Sequence, residues 1–264
     1  MQLSARWVVV TGASSGLGRE IARELAKSYR ANLILTARRE QRLNDLSAEL
    51  TKEYGIEVET ISSDLSAPDG ATQLFEEATR RRNIYGVVLN AGITHFGHWD
   101  EVPWSEHERM IQVNVISTAR LATLFLTYLQ ARSEGGGLLI VASMAGLNPL
   151  AYQATYSATK AFLINFGCAL HHEMLPRGIS VTTYLPGGIA TEMSAGSRFD
   201  GLRSWLMPAD ICAREAVSAF VRRAYTHVPG FTYWLGSVLA RLLPTYFFHR
   251  QVASQYRRSL EAKR

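Results

Sequence analysis

The stretch from Arg6 to Gly18 constrains this chain more than any other. Arg6–Thr11 is a continuous run rich in β-branched residues, Thr11-Gly12-Ala13-Ser14-Ser15-Gly16-Leu17-Gly18 follows at once, and a helical pattern runs from Leu17 to Tyr29. A strand with no polar alternation is buried on both faces, which in practice means a parallel sheet covered by helices. Strand, glycine-rich turn and helix in that order can seat a pyrophosphate. Gly12 permits the tight turn, Gly16 lets backbone approach the phosphates, Gly18 lets the helix lie close, and the helix N-terminus offers N–H groups and positive dipole. The spacing G-x-x-x-G-x-G departs from the commoner G-x-G-x-x-G, and a plain tight turn is the competing reading. Its place directly after the first strand favours a dinucleotide.

The rhythm continues. Strands are predicted at Asn32–Thr36, Ile56–Ser62, Gly86–Asn90, Leu138–Ser143 and Ile179–Leu185, with a short one around 226–233. Helices are predicted at Glu40–Tyr54, Pro68–Arg82, Pro103–Arg132, Gln153–Leu175 and Pro208–Tyr225, and two further helical stretches flank Pro244. The fold class this implies is α/β: one Rossmann-type, doubly wound parallel sheet of about seven strands with helices on both faces. The expected organisation is a single catalytic domain over 1–264, with 190–207 as a substrate loop and 231–264 as a helical, basic extension.

Charge is concentrated rather than spread. Residues 241–264 hold six basic side chains against Glu261 alone, which accounts for the whole net charge of +5. The remaining 240 residues are electrically balanced, so nucleic acid is not an expected partner. Cys168 and Cys212 sit in apolar surroundings without ligand spacing. They read as free, buried thiols of a reducing compartment, and no metal site is expected. The strand-like Arg6–Val10 argues against a leader peptide, and the run Phe231–Phe248, broken by Arg241 and Pro244, falls short of the ~20 residues of a membrane span. A cytoplasmic location is the expectation.

Two local patterns carry chemistry. In Tyr156-Ser157-Ala158-Thr159-Lys160 the phenol and the ammonium are one helical turn apart and share a face. A nearby positive charge favours the phenolate and draws a tyrosine, normally near ~10, toward the range where proton transfer is useful. The second strand ends Thr36-Ala37-Arg38-Arg39. A free ribose 2′-hydroxyl calls for a carboxylate at that strand end and a 2′-phosphate for a guanidinium, so NADP(H) is favoured over NAD(H).

Taken together, the ordered motifs resemble the short-chain dehydrogenase/reductase family. They are Thr11–Gly18 as TGASSGLG, Asp64-Leu65, Asn90-Ala91-Gly92, Asn114, Ser143, Tyr156 with Lys160, and Pro186-Gly187 with Thr191. Within the family, the stretch LTARREQRL and the closing tail look most like NADP-dependent ketoreductases and hydroxysteroid-dehydrogenase-like members. The resemblance implies that Asn114, Ser143, Tyr156 and Lys160 are catalytic. Tyr156 would protonate a carbonyl oxygen as hydride arrives, Ser143 would donate to the same oxygen, Lys160 would hold the nicotinamide ribose, and Asn114 would hold a water linking Lys160 to solvent. It also implies a cofactor site of Gly12, Ser14, Ser15, Gly16, Leu17, Gly18, Arg38, Arg39, Asp64, Leu65, Asn90, Ala91, Gly92, Tyr156, Lys160, Pro186, Gly187, Ile189 and Thr191. Asp64 and Leu65 would lie beside the adenine, and Thr191 would reach the carboxamide.

The substrate should lie over the nicotinamide. Met144, Tyr152, Met193 and Trp205 are its candidate contacts, amid further apolar residues such as Phe96, Trp99, Phe199, Leu202 and Met207. This lining suits a lipophilic carbonyl or alcohol: a ketoacyl group, a steroid-like ketone or another medium-to-large apolar compound. The helices around Val115–Leu129 and Ala161–Leu170 are apolar on nearly every side, which predicts a homodimer or homotetramer. The apolar tail, followed by its basic residues, would either cover the substrate site or a neighbouring subunit, the favoured reading, or make weak contact with a membrane surface. A chain that binds NADP(H) without turnover, as a redox sensor or scaffold, is the alternative to an enzyme.

Overall fold

A computed structural model describes residues 1–194, 206–242 and 245–261. In chain order the elements are β1 (Trp7–Thr11), α1 (Gly16–Tyr29), β2 (Asn32–Ala37), α2 (Glu40–Tyr54), β3 (Val58–Ser62), α3 (Gly70–Arg81) and β4 (Ile84–Leu89). There follow α4 (Trp104–Ile111), α5 (Thr118–Arg132), β5 (Gly136–Val141), α6 (Ala154–Met174), β6 (Ile179–Tyr184), β7 (Ile189–Ala190), β8 (Met207–Pro208), α7 (Ala209–Val221), β9 (Thr226–His227), α8 (Phe231–Leu242) and α9 (Thr245–Glu261).

Seven strands form one parallel sheet in the order β3-β2-β1-β4-β5-β6-β9, and β7 pairs with β8 in a separate two-stranded ribbon. The order reverses between β1 and β4. In an open parallel sheet the crevice at the carboxyl ends of the strands on either side of that switch is where ligands bind.

Alternate side chains of each strand feed two separate cores. Val8 and Val10 of β1 join Leu17, Ile21, Leu25, Leu43, Leu50 and Phe220 beneath α1, α2 and α7. Trp7 and Val9 join Leu74, Leu121, Phe125, Leu129 and Leu163 beneath α3, α5 and α6. This is why β1 shows no polar alternation: both faces are covered. Helix α1 buries Leu17, Ile21, Ala22, Leu25 and Ala26, a single stripe at helical spacing, and ends in the left-handed Arg30. Helix α2 stops at Gly55, whose left-handed backbone lets its N–H close on Thr51.

Three expectations change. The helix predicted over Pro103–Arg132 is interrupted by a wide π turn at Gln112–Ser117, a local expansion of the hydrogen-bond ladder. The strand near 226–233 shrinks to two residues, because Gly230, with φ at +71°, turns the chain into α8 at Phe231. Cys168 is half-buried rather than buried, while Cys212 is fully buried. Continuous helical backbone over Trp104–Arg132 passes by length and composition as a membrane span, with a mean hydropathy of 1.3, yet half of that window is buried in the fold.

Candidate active site

The turn after β1 is locked to the end of β4. Thr11 Oγ1 donates to Val88 O at 3.1 Å and accepts from the N–H groups of Asn90 and Ala91 at 2.9 and 3.0 Å, while Asn90 Nδ2 donates to Thr11 O at 3.0 Å. Gly12 adopts φ of +69°, and a side chain at Gly18 would place its Cβ 2.4 Å from Gly12 O and 2.5 Å from Asn90 Nδ2. The close approach therefore admits no other residue at position 18. Ser15 stands at the N-cap of α1 without a side-chain capping bond, so Gly16, Leu17 and Gly18 open the helix with backbone donors alone. These features fit a pyrophosphate lying over the helix N-terminus.

The two arginines at the end of β2 separate. Asp64 has its carboxyl held below its ordinary value mainly by hydrogen bonds from the N–H and hydroxyl of Ser66, with the charge of Arg38 a lesser cause. Arg39 reaches back to the glycine turn, donating to Ser14 Oγ at 3.0 Å and to Ser15 Oγ at 2.5 Å. Leu65 anchors the far side of the cleft through its carbonyl, which accepts from Ser117 Oγ at 2.6 Å.

On α6, Lys160 Nζ lies 5.7 Å from the centre of the Tyr156 ring. Lys160 is only 4% exposed and donates to Val141 O at 2.9 Å. Burial drops the ammonium to about 8. Burial also raises the Tyr156 phenol above its ordinary value, with Ser143 acting in the opposite direction. The expected drawing-down of the phenol by Lys160 is thus reversed in the protein on its own. Both groups are desolvated, and the cost of a phenolate in low dielectric outweighs an ammonium already engaged by a carbonyl.

Ser143 lies two residues beyond β5, where it caps the short turn Met144–Gly146 by accepting from Ala145 N at 3.1 Å; its own proton has Pro186 O at 3.4 Å. Asn114 sits in the π turn and is fully buried. Its Nδ2 donates to Ile93 O at 2.9 Å and to Thr159 Oγ1 at 3.1 Å, and Oδ1 accepts from Ile93 N at 2.9 Å. Both amide hydrogens are spent within the protein, which leaves the second lone pair of Oδ1 for any water. Asn114 thereby ties the loop after Gly92 to the helix that carries Tyr156 and Lys160.

The segment after Pro186 closes over the same crevice. Met144 N donates to Pro186 O at 2.9 Å, Ile189 pairs with Met207, and Thr191 stands so near the glycine turn that a Cβ on Gly16 would be 3.2 Å from its Cγ2. Thr191 therefore meets the turn after β1. A Cβ on Gly187 would strike the Tyr233 ring at 2.6 Å, so α8 is seated directly on this segment.

Of the substrate candidates, Tyr152 is the best defined. It holds a left-handed backbone at φ +66°, its carbonyl accepts from Gly97 N at 3.1 Å, and its ring meets His98 edge-on at 5.0 Å. Met144 is half-buried, Met193 is exposed, and Trp99, 81% exposed, lies on the outer surface rather than in the lining. Phe199, Leu202 and Trp205 fall outside the described residues.

The tail was expected to cover the substrate site or a neighbouring subunit, and two residues of α9 make contacts that the sequence pattern did not single out. Tyr256 packs edge-on against Phe96 at 5.2 Å, and its phenol is raised first by burial and then by Tyr156. Arg257 Nε donates to Tyr152 Oη at 3.0 Å. The last helix thus touches the loop after β4 and the turn that leads into α6. Arg42 and Glu192, described below, were also missed; their pairing spans 150 residues and carries no local signature.

The profile described as short chain dehydrogenase matches residues 6–202, well over half of the chain. The chain belongs to the short-chain dehydrogenase family. It is 32% identical over 196 residues to the very-long-chain 3-oxoacyl-CoA reductase of Anas platyrhynchos, covering 73% of this chain and 62% of that protein. It is 30% identical over 216 residues to the inactive hydroxysteroid dehydrogenase-like protein 1 of Homo sapiens, covering 81% and 65%. The chain therefore spans less than two thirds of either relative. A solved short-chain dehydrogenase from Sphingobium yanoikuyae, in complex with NADPH, superposes with a TM-score of 0.81 at 29% identity, covering 90% of this chain and 94% of that one. In this short-chain dehydrogenase, then, Asn90 and Thr191 meet the glycine turn, and Asn114 is tied to the helix that carries Tyr156 and Lys160.

Proposed function

We propose that this chain is an NADP(H)-dependent oxidoreductase that interconverts a ketone and a secondary alcohol on a medium-to-large apolar substrate. The observation that carries the reading is the meeting of Tyr156, Lys160, Ser143 and Asn114 at the same end of the sheet as the glycine turn. The dinucleotide, when bound, supplies the hydride for reduction and accepts it for oxidation. Gly12, Ser14, Ser15, Gly16, Leu17 and Gly18 would take its pyrophosphate, and Arg39 beside Ser14 its 2′-phosphate. Arg38, Asp64 and Leu65 would take the adenine side; Asn90, Ala91, Gly92, Pro186, Gly187, Ile189 and Thr191 would line the rest.

Tyr156 holds the transferable proton at its phenol oxygen and gives it to the carbonyl oxygen, or takes it back from the alcohol. Ser143 donates to the same oxygen, so the developing alkoxide meets a donor already in place. Lys160 places a positive charge behind the phenol, and Asn114 fixes the distance between the β4 loop and α6.

Lipophilic substrates suit the apolar lining and the names of the relatives, one acting on 3-oxoacyl-CoA and one likened to hydroxysteroid dehydrogenases. The tail is read as part of the substrate site, since Tyr256 and Arg257 reach Phe96 and Tyr152. Exposed Ile116 and Phe162, on the π turn and α6, support the reading of a homo-oligomer through these helices.

A panel of ketones, ketosteroids and ketoacyl thioesters with NADPH oxidation as readout tests the reaction. Tyr156→Phe is expected to reduce turnover at least ~100-fold, the lower end of general acid catalysis, with NADPH affinity nearly unchanged. The inactive relative raises the second reading, a dinucleotide-binding protein without turnover. A wild-type chain that binds NADPH and turns over nothing in the panel, indistinguishable from Tyr156→Phe, would favour that second reading.

A further inference from the structure

Two guanidinium groups at the start of α2 converge on one carboxylate from a distant part of the chain. Arg39 Nη1 lies 2.9 Å from Glu192 Oε2, and Arg42 Nη1 pairs with Glu192 Oε1. The same Arg39 donates to Ser14 Oγ and Ser15 Oγ in the glycine turn. The two guanidinium groups beyond β2 and the two hydroxyls of the glycine turn form a set of donors suited to a phosphate. Glu192 follows Thr191 in the short turn Glu192–Ser194, which is closed by Ser194 Oγ on Ile189 O at 2.7 Å and on Thr191 O at 3.1 Å. The side chains of Arg39, Arg42 and Glu192 are 43%, 48% and 52% exposed, so the cluster is open to a ligand from solvent.

We infer that Glu192 is an internal counter-ion occupying the 2′-phosphate subsite, and that NADP(H) binds by exchanging its 2′-phosphate for this carboxylate. The inference rests on the NADP(H) reading above. A phosphate monoester carries roughly −1.5 to −2 at neutral pH against the single charge of Glu192, so it wins the arginines. The exchange sets the affinity for the phosphorylated cofactor below what the cradle alone would give. It also unlatches the turn that follows Thr191, so the phosphate reports its arrival to the segment leading toward the substrate. The two arginines hold the Glu192 carboxyl down to about 2, so the latch stays charged throughout the working range.

The test uses the full chain with 2′,5′-ADP and 5′-ADP as probes, followed by calorimetry and by hydrogen exchange over 186–194. Wild type is expected to prefer 2′,5′-ADP. Glu192→Gln, an exposed change that leaves the thermal midpoint in place, should tighten 2′,5′-ADP about three- to tenfold, the scale of two exposed ion pairs, and leave 5′-ADP unchanged. Addition of 2′,5′-ADP, and not of 5′-ADP, should speed exchange over 186–194 in wild type and have no such effect in Glu192→Gln. Wild type with no preference for 2′,5′-ADP would refute the NADP(H) reading and this inference with it. A preference that Glu192→Gln leaves unchanged, or weakens, overturns the inference alone, because Glu192 would then be neutral to the phosphate or a support for its arginines.

Discussion

Lys160 shows at the scale of one residue how a catalytic arrangement costs stability. Buried at 4% exposure, it is lowered from 10.5 to about 8. Between those values the unfolded chain binds more protons than the folded one, so the folded protein gains stability as pH rises through that window. Below about pH 8 the lysine is charged in both states and the penalty is complete. Lys160→Met removes the charge, and its thermal midpoint relative to wild type should be highest at pH 7 and fall as pH approaches 10. A difference that stays flat across this range would show that the buried ammonium bears no such penalty. The direction of this shift was not legible in the sequence, where the spacing of Tyr156 and Lys160 gave their shared face but not the depth at which both lie. The candidate residues themselves were legible because each sits at a strand end or a turn that the strand pattern had already placed. Arg38 and Arg39 looked equivalent as neighbours, yet Arg39 donates to Ser14 while the charge of Arg38 is felt at Asp64.

Elements tell a parallel story. Most strands were readable because burial on both faces leaves apolar runs, as in β1 and β5, whereas β9, only two residues long, has no run to show. The π turn at Gln112–Ser117 was invisible because it changes hydrogen bonding without changing composition. Yet it is the piece that turns Asn114 toward Ile93 and Thr159. Beyond it α5 is fastened by its inner stripe. Phe125 is fully buried and meets Phe75 edge-on at 5.1 Å. Phe125→Ala is expected to lower unfolding free energy by about 3–5 kcal/mol in urea titrations, the range for deleting a buried phenylalanine. A loss below about 1 kcal/mol would mean that α5 relaxes into the space and is not held by this contact.

The whole molecule differs most from its sequence reading where distant segments meet. Tyr256 and Tyr156 are a hundred residues apart, and no periodicity connects them; the tail was expected to cover something, and α9 reaches Phe96 and Tyr152. Helix α8 divides its apolar residues, with Tyr233 against Gly187 and with Phe231, Trp234 and Leu235 exposed by 72%, 48% and 39%. A chain ending at Pro229 should keep NADPH binding and show a raised KM for bulky ketones, more than for small ones. If the exposed face of α8 touches lipid, full-length protein should co-sediment with anionic vesicles and the shortened chain should not; failure of the full-length protein to do so removes membrane contact. Equal KM values for both chains would remove the tail from the substrate site.

The strand order has a consequence for how the chain comes into being. β1 is synthesised first, but it needs β4 as one lateral neighbour, and β4 in turn pairs with β5, which begins at Gly136. A nascent chain that has emerged only as far as Leu89 therefore offers β4 with one edge bare, a strand rich in Val and Leu beside a ribosome still adding residues. Such long-range parallel pairings assemble slowly and invite association with the wrong strand. Pausing synthesis within 90–135 should lengthen that interval and increase the chain's demand for chaperones.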